Sequence, residues 1–351
     1  MTPLAQRLAT RIRAGGPMSL ADFMAAALMD PDHGYYATRD PFGAAGDFVT
    51  APEISQMFGE LLGLWLAQVW QDQGAPARII LAEPGPGRGT LMADVLRATR
   101  KVPGFHAALS LHLVETSPEL RRIQAERLPD AHWHDDVATL PEGPLFLLAN
   151  EFLDALPIRQ FRRDGSGWAE RVVTLQEDRL AFALARTAPP AMLAAHEEAP
   201  AGTTVEYCPA LPGIVGMIGD RIARHGGAAL FIDYGGRGGT GDTLQALRAH
   251  HPVDPLAEPG LADLTAHVDF AAIARAAPPA RVTPLVTQGL FLERLGITPR
   301  AQALAAGLAG EALESHVAAH RRLTHPDEMG SLFKVIGIAP PDAPPLPGLE
   351  S

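Results

Sequence analysis

The stretch Ile79-Ile80-Leu81-Ala82-Glu83-Pro84-Gly85-Pro86-Gly87-Arg88-Gly89-Thr90-Leu91 passes from a short apolar run through a glycine-rich loop into a helical pattern. Ile79 to Ala82 is branched and apolar, as expected of a strand buried on both faces of a parallel sheet. Thr90 to Arg100 reads as the helix that follows. Glycines at alternate positions let the backbone approach a ligand closely, and the loop opens onto a helix N-terminus whose free N–H groups carry partial positive charge. A nucleotide-like guest suits such a loop. A dinucleotide fingerprint requires Gly-x-Gly-x-x-Gly, but Thr90 stands at the third glycine position counted from Gly85, and Met92 counted from Gly87. The fingerprint fails in both registers, which disfavours a nicotinamide oxidoreductase.

What stands there instead, an acid followed by Gly-x-Gly-x-Gly, resembles the loop of class I S-adenosylmethionine (SAM) methyltransferases. SAM has no pyrophosphate. Its carboxylate suits the helix N-terminus, and its cationic groups suit an acid such as Glu83. Glu83, Gly85, Gly87, Gly89 and Thr90 are therefore the candidate cofactor residues of this loop; the bland alternative is a Gly/Pro turn without ligand.

Working outward, Leu109 to Val114 predicts a second strand ending at Glu115, with Ser117 and Pro118 opening the next helix. An acid at that strand end can accept both ribose hydroxyls of a nucleoside. Asp135 and Asp136 mark the third strand end, where side chain or backbone can read the adenine. Pro144 to Ala149 is a fourth buried strand, followed by Asn150-Glu151-Phe152-Leu153-Asp154-Ala155-Leu156-Pro157. The crevice beyond the strand C-termini holds the chemistry of open α/β sheets. Glu151 and Asp154 are three apart and share a face if this is a helical turn; alternatively Asn150 caps a helix with acids in its first turn.

On the N-terminal side, Met1 to Gly16 predicts an amphipathic surface helix, whose basic, acid-free character also resembles an organellar presequence. Ser19 and Asp22 start a helix that stops before Pro31. Thr50-Ala51-Pro52-Glu53 predicts a capping box for one helix running to Gln73, whose face of Ile54, Met57, Phe58, Leu61, Leu62, Trp65 and Val69 is core. On the C-terminal side, Ile158 to Phe161, Trp168 to Leu175 and Leu180 to Leu184 predict an antiparallel meander. Ala228 to Asp233 is a fifth strand, and Arg281 to Leu285 and Phe333 to Ile338 complete the sheet. Helices Gln288 to Leu295 and Ala301 to Leu323 lie between those two. His250 to Asp269 reads as a polar loop without metal-ligand spacing, and the Pro-rich tail from Ala339 as mobile.

Across 351 residues, 47% hydrophobic and 20% charged, the chain can bury a large core. A net charge of −11 disfavours a nucleic-acid groove. Cys208 is the single cysteine, which excludes an intramolecular disulfide and a cysteine-rich zinc site. With no apolar run of membrane-spanning length, a soluble, cytoplasmic protein is expected, without membrane insertion and with an oligomer possible.

Gly46-Asp47-Phe48-Val49-Thr50-Ala51-Pro52-Glu53-Ile54-Ser55-Gln56-Met57-Phe58-Gly59, the glycine loop, Asn150 to Pro157, Ile232-Asp233-Tyr234-Gly235 and Met329-Gly330-Ser331-Leu332-Phe333-Lys334-Val335-Ile336-Gly337 together resemble the MidA family of SAM-dependent methyltransferases. The resemblance implies an α/β fold: a class I, Rossmann-like seven-stranded sheet with the last strand antiparallel, plus an N-terminal helical segment and an inserted meander. It implies a cap at 1–74, a core at 75–157 and 226–338, a substrate-side insertion at 158–225 and a tail at 339–351. It also implies SAM as cofactor and, from the family's mitochondrial members, arginine methylation of a protein partner, a subunit of respiratory complex I, during assembly. A guanidinium is planar and always protonated, so carboxylates must hold and orient it. Glu151 and Asp154, with Asn150, are the first catalytic candidates, and Asp47 and Glu53 the second. A non-catalytic assembly factor and a small-molecule methyltransferase are the competing readings.

Overall fold

The computed structural model describes residues 1–38, 49–165 and 167–350. The chain divides into two compact units, Val49–Leu153, Pro212–Gly236 and Phe270–Ser351 forming one, and Met1–Phe48, Asp154–Leu211 and Arg237–Asp269 the other.

The first of these units is built on a mixed sheet. Its strands in chain order are β1 (Ile79–Pro84), β2 (Leu109–Val114), β3 (His132–His134), β4 (Leu145–Asn150), β5 (Gly227–Gly236), β6 (Arg281–Val282) and β7 (Phe333–Ala339). They lie in the order β6-β7-β5-β4-β1-β2-β3. β1 to β5 pair in parallel, as in Ile79 against Leu109 and Ile232 against Asn150. β7 runs antiparallel to β5, Asp233 facing Lys334. Every residue of β1 and β4 is buried, the reason both read as unbroken apolar runs rather than alternating ones. Two short strands, Val268–Asp269 beside β5 and Val286–Thr287 beside β7, bring the sheet to nine, built on the seven-stranded α/β order with an antiparallel last strand that the family resemblance implies.

Helices Gln56–Asp72 and Thr90–Thr99 pack so closely that a Cβ on Gly59 would lie 2.6 Å from that of Asp94, and one on Gly63 would lie 3.0 Å from the Val95 Cα. Met57, Phe58, Leu62 and Trp65 enter the core from the first of these helices. The expected single helix from Thr50 is in fact two, Ala51–Ile54 and Gln56–Asp72, broken at an extended Ser55 whose hydroxyl accepts the Met57 N–H. Thr50 makes no side-chain cap, and the Glu53 carboxylate accepts a hydrogen bond from the Thr90 hydroxyl at 2.5 Å rather than closing a capping box. The tail also departs from expectation. Leu346 and Leu349 are buried in the core, and the Trp65 indole donates to the Pro347 carbonyl, so apolar burial holds it down despite its prolines.

In the other unit, helix Pro3–Gly15 buries Leu4, Leu8 and Ile12, and Leu20–Met29 is capped by Ser19, whose hydroxyl accepts the Asp22 N–H. Strands Arg159–Asp164, Gly167–Gln176 and Arg179–Ala185 form the expected meander, extended by Thr204–Tyr207 and Met18–Ser19. The segment read as a polar loop instead supplies His251–Val253 and Asp263–Thr265, which flank Gln245–Arg248 in a small antiparallel sheet. Their three-residue length is too short for alternation to show in sequence. Among the described residues no helix is long and apolar enough to cross a membrane.

Candidate functional site

At the C-terminal end of β1, Glu83 is buried at 3% exposure, and burial raises its carboxyl pKa from 4.5 to about 8. Its Oε2 has no hydrogen-bond partner among the described residues. A buried acceptor of this kind is costly unless a donor or cation meets it. The loop beyond turns through three left-handed glycines, Gly85, Gly87 and Gly89, at φ of 63°, 52° and 76°. A Cβ on Gly85 would press on the Phe152 ring at 3.1 Å, so no larger residue fits there without displacement. Gly89 caps helix Thr90–Thr99 without a side chain, leaving the N–H groups of the first turn facing the loop.

The ends of β2 and β3 continue this edge. The Gly85 N–H donates to the Val114 carbonyl, and the Glu115 N–H to that of His134. The Glu115 carboxylate accepts the Ser117 N–H at 2.8 Å and the Gln124 amide at 3.3 Å. Burial raises its pKa, and those two hydrogen bonds oppose the rise. Arg121 fixes the same strand ends by donating to the carbonyls of Glu115 and His134. Gln124 and Arg121 carry no signal in a loop motif. Their only trace in sequence is a glutamine and an arginine on the inner side of the helix that Ser117-Pro118 opens.

Asp135 and Asp136 are placed differently from the cradle residues. The Asp135 side chain is 83% exposed and pairs with Arg121 at 2.6 Å, while Asp136 accepts the Ala138 N–H to cap a short turn. Asp135 is thus paired on the surface and Asp136 within its own turn. Thr90 is likewise occupied by protein, donating to Glu53 and accepting from Arg127 at 2.6 Å. It ties the loop helix to helix Ala51–Ile54.

At the end of β4 the chain does not enter a helix. Glu151 is left-handed at φ 50°, which excludes both the shared helical face and the Asn150 cap. The Glu151 carboxylate accepts the Ala51 N–H at 3.0 Å and the Asn150 amide at 3.1 Å. A carboxylate only accepts, so the Asn150 NH₂ must face it and the Asn150 Oδ1 must point away. That oxygen is buried with no partner among the described residues. Asp233, at the end of β5, fixes the following turn by accepting the Leu153 N–H at 3.0 Å. Asp154 falls in the other unit, so the structure does not group it with Glu151 on one turn. There the Tyr36 hydroxyl donates to Asp263 at 2.8 Å; desolvation first, then the Asp263 and Asp154 charges, raise the Tyr36 phenol pKa well above its ordinary value. Asp47 lies outside the described residues.

A cationic, donor-rich ligand fits this edge, with an orphaned carboxylate oxygen at Glu83, an orphaned amide oxygen at Asn150, a glycine loop at Gly85 to Gly89 and a buried carboxylate at Glu115. The family model for S-adenosyl-L-methionine-dependent methyltransferases matches residues 61–286. The chain belongs to that family. Among relatives of this methyltransferase, the NDUFAF7 homolog of Drosophila melanogaster, named a mitochondrial protein arginine methyltransferase, is 37% identical over 96% of this chain and 85% of its own. The Homo sapiens protein arginine methyltransferase NDUFAF7, also named mitochondrial, is 36% identical over 97% of this chain and 84% of its own. A solved Burkholderia thailandensis structure bound to S-adenosyl-homocysteine superposes with a TM-score of 0.80 at 28% identity, covering 99% of this chain and 92% of that one. The methyltransferase uses SAM. The expectation of a cytoplasmic protein is overturned by these relatives, which are named mitochondrial. A single cysteine and an acidic total fit any reducing aqueous compartment and do not select one.

Proposed function

We propose that this methyltransferase acts on arginine in a protein, and that its substrate is a subunit of respiratory complex I. The observation that carries the reading is the naming of its relatives as protein arginine methyltransferases at 36–38% identity over nearly the whole chain. The residues around the cradle support it. SAM, when bound, supplies an electrophilic sulfonium methyl group. Glu83 holds its ammonium, Glu115 its ribose hydroxyls, and the backbone at Gly85 to Gly89 its carboxylate. Asn150 and Glu151, with Glu53, are the acceptor residues within the unit that carries the cradle. Glu151 is already oriented by Ala51 and Asn150. A carboxylate beside a guanidinium orients one nitrogen and takes up the proton that must leave as the N–C bond forms and the S–C bond breaks. The net charge of −11 favours approach of a cationic segment.

The test is transfer from methyl-labelled SAM to a complex I subunit carrying Arg, Lys or Ala at the modified position. Label is expected on the Arg form alone, because an ammonium cannot make the planar two-pronged contact. Equal labelling of Arg and Lys forms, or label confined to a small metabolite, refutes the acceptor while leaving the SAM site standing.

A further inference from the structure

Helix Pro118–Arg127 carries a glutamine with no solvent exposure, Gln124, whose amide is used at both ends. Its Nε2 donates to the carbonyl of Gly87 at 2.7 Å and to Glu115 Oε2 at 3.3 Å, while its Oε1 accepts the Trp133 indole N–H at 2.8 Å. The orientation of this amide is determined chemically. An indole N–H only donates, so it must meet the oxygen, and a carbonyl and a carboxylate only accept, so they must meet the NH₂. No flipped amide satisfies all three.

Three parts of the cofactor edge thus end on one side chain: the middle glycine of the loop, the acid beyond β2 and the indole on β3. Gly87 has no side chain to anchor it and sits at φ 52°, so its carbonyl is held through contacts such as this one. Glu115 has one oxygen on the Ser117 N–H and the other on Gln124, which fixes its rotamer and leaves each oxygen a further lone pair for a hydroxyl.

We infer that Gln124 is a positioning residue for SAM, coupling the loop that receives the methionine half to the carboxylate that receives the ribose. It touches no reacting atom. It acts by keeping Glu115 and Gly87 in one register, so that neither half of the site can shift alone. The inference rests on the assignment of the SAM site to Glu115 and the glycine loop. An ordinary buried glutamine would contribute to folding and leave the affinity of folded protein unchanged.

The experiment measures S-adenosyl-homocysteine binding by calorimetry on full-length Gln124→Met, Gln124→Glu, Glu115→Ala and the Gln124→Met/Glu115→Ala double variant, from pH 5 to 9. Gln124→Met keeps the volume and removes every hydrogen bond; a loss of roughly tenfold in affinity is expected. In the double variant the losses should be less than multiplicative, because Gln124 acts through Glu115. Gln124→Glu should bind nearly as wild type at low pH, where it shares a proton with Glu115, and weaken as that proton leaves on raising pH. A purely structural role moves none of these readouts. If Gln124→Met does not fold, Trp133→Phe removes one anchor of the amide from outside the cradle and is expected to weaken binding two- to fivefold. Wild-type affinity in Gln124→Met and Gln124→Glu at every pH, or in Trp133→Phe if that variant must stand in, overturns the coupling. Wild-type affinity in Glu115→Ala overturns the site assignment instead.

Discussion

Glu83→Gln is the substitution whose consequence is most sharply defined by the structure. The Glu83 carboxyl has a pKa near 8 in the folded chain against an ordinary 4.5, and burial alone is the cause. The folded protein therefore binds a proton here that the unfolded chain releases. Stability from this group is fully present below about pH 4.5, declines as pH rises, and is exhausted above about pH 8. A shift of that size corresponds to about 5 kcal/mol at most, lost at roughly 1.4 kcal/mol per pH unit within the window. The amide of the variant does not titrate and carries no such dependence. Urea denaturation of both proteins between pH 5 and 9, extrapolated to water, gives the two stability curves. Contributions from all other titrating groups cancel in their difference. The variant is expected to gain on wild type steadily from pH 5 to 8 and then hold level. On the proposed assignment SAM affinity in the same variant should fall by about 1.5–3 kcal/mol, because the ligand ammonium can draw the proton from Glu83 and face a carboxylate, whereas the amide stays neutral. A difference curve flat across pH 5 to 8 would show that Glu83 is ionised in the folded chain and that its environment is not the dry one described.

Three further outcomes follow from other parts of the molecule. Glu151→Gln should keep SAM affinity while methyl transfer falls by at least tenfold; normal transfer, measured with labelled SAM, removes it from the acceptor site. Gly59→Ala should destabilise the protein by about 1–3 kcal/mol in thermal or urea unfolding, since its Cβ would meet that of Asp94 at 2.6 Å in a helix crossing with no slack. Leu349→Ala should cost about 2–5 kcal/mol by the same measurement, as expected for a core leucine and not for a residue in a mobile tail.

The sheet and the cofactor are legible in the amino-acid sequence. Strands buried on both faces must be apolar throughout, so β1 and β4 stand out as Ile79-Ile80-Leu81-Ala82 and Leu145-Phe146-Leu147-Leu148-Ala149. The glycines and the acids at the strand ends are local features, set by what the backbone conformation and the ligand charge require of a single position. The remaining features depend on partners distant in sequence that only the folded chain brings together. The capping box at Thr50 had the right residues, yet Glu53 accepts from Thr90, 37 positions on, and the helix is interrupted at the extended Ser55. Glu151 and Asp154 share a face only if a helix forms, and the bonds from Ala51 and Asn150 hold Glu151 in a left-handed turn instead. Gln124 looks in sequence like any polar helix residue. Its role exists only because the folding of β1, β2 and β3 into one sheet brings Gly87, Glu115 and Trp133 within reach of one amide.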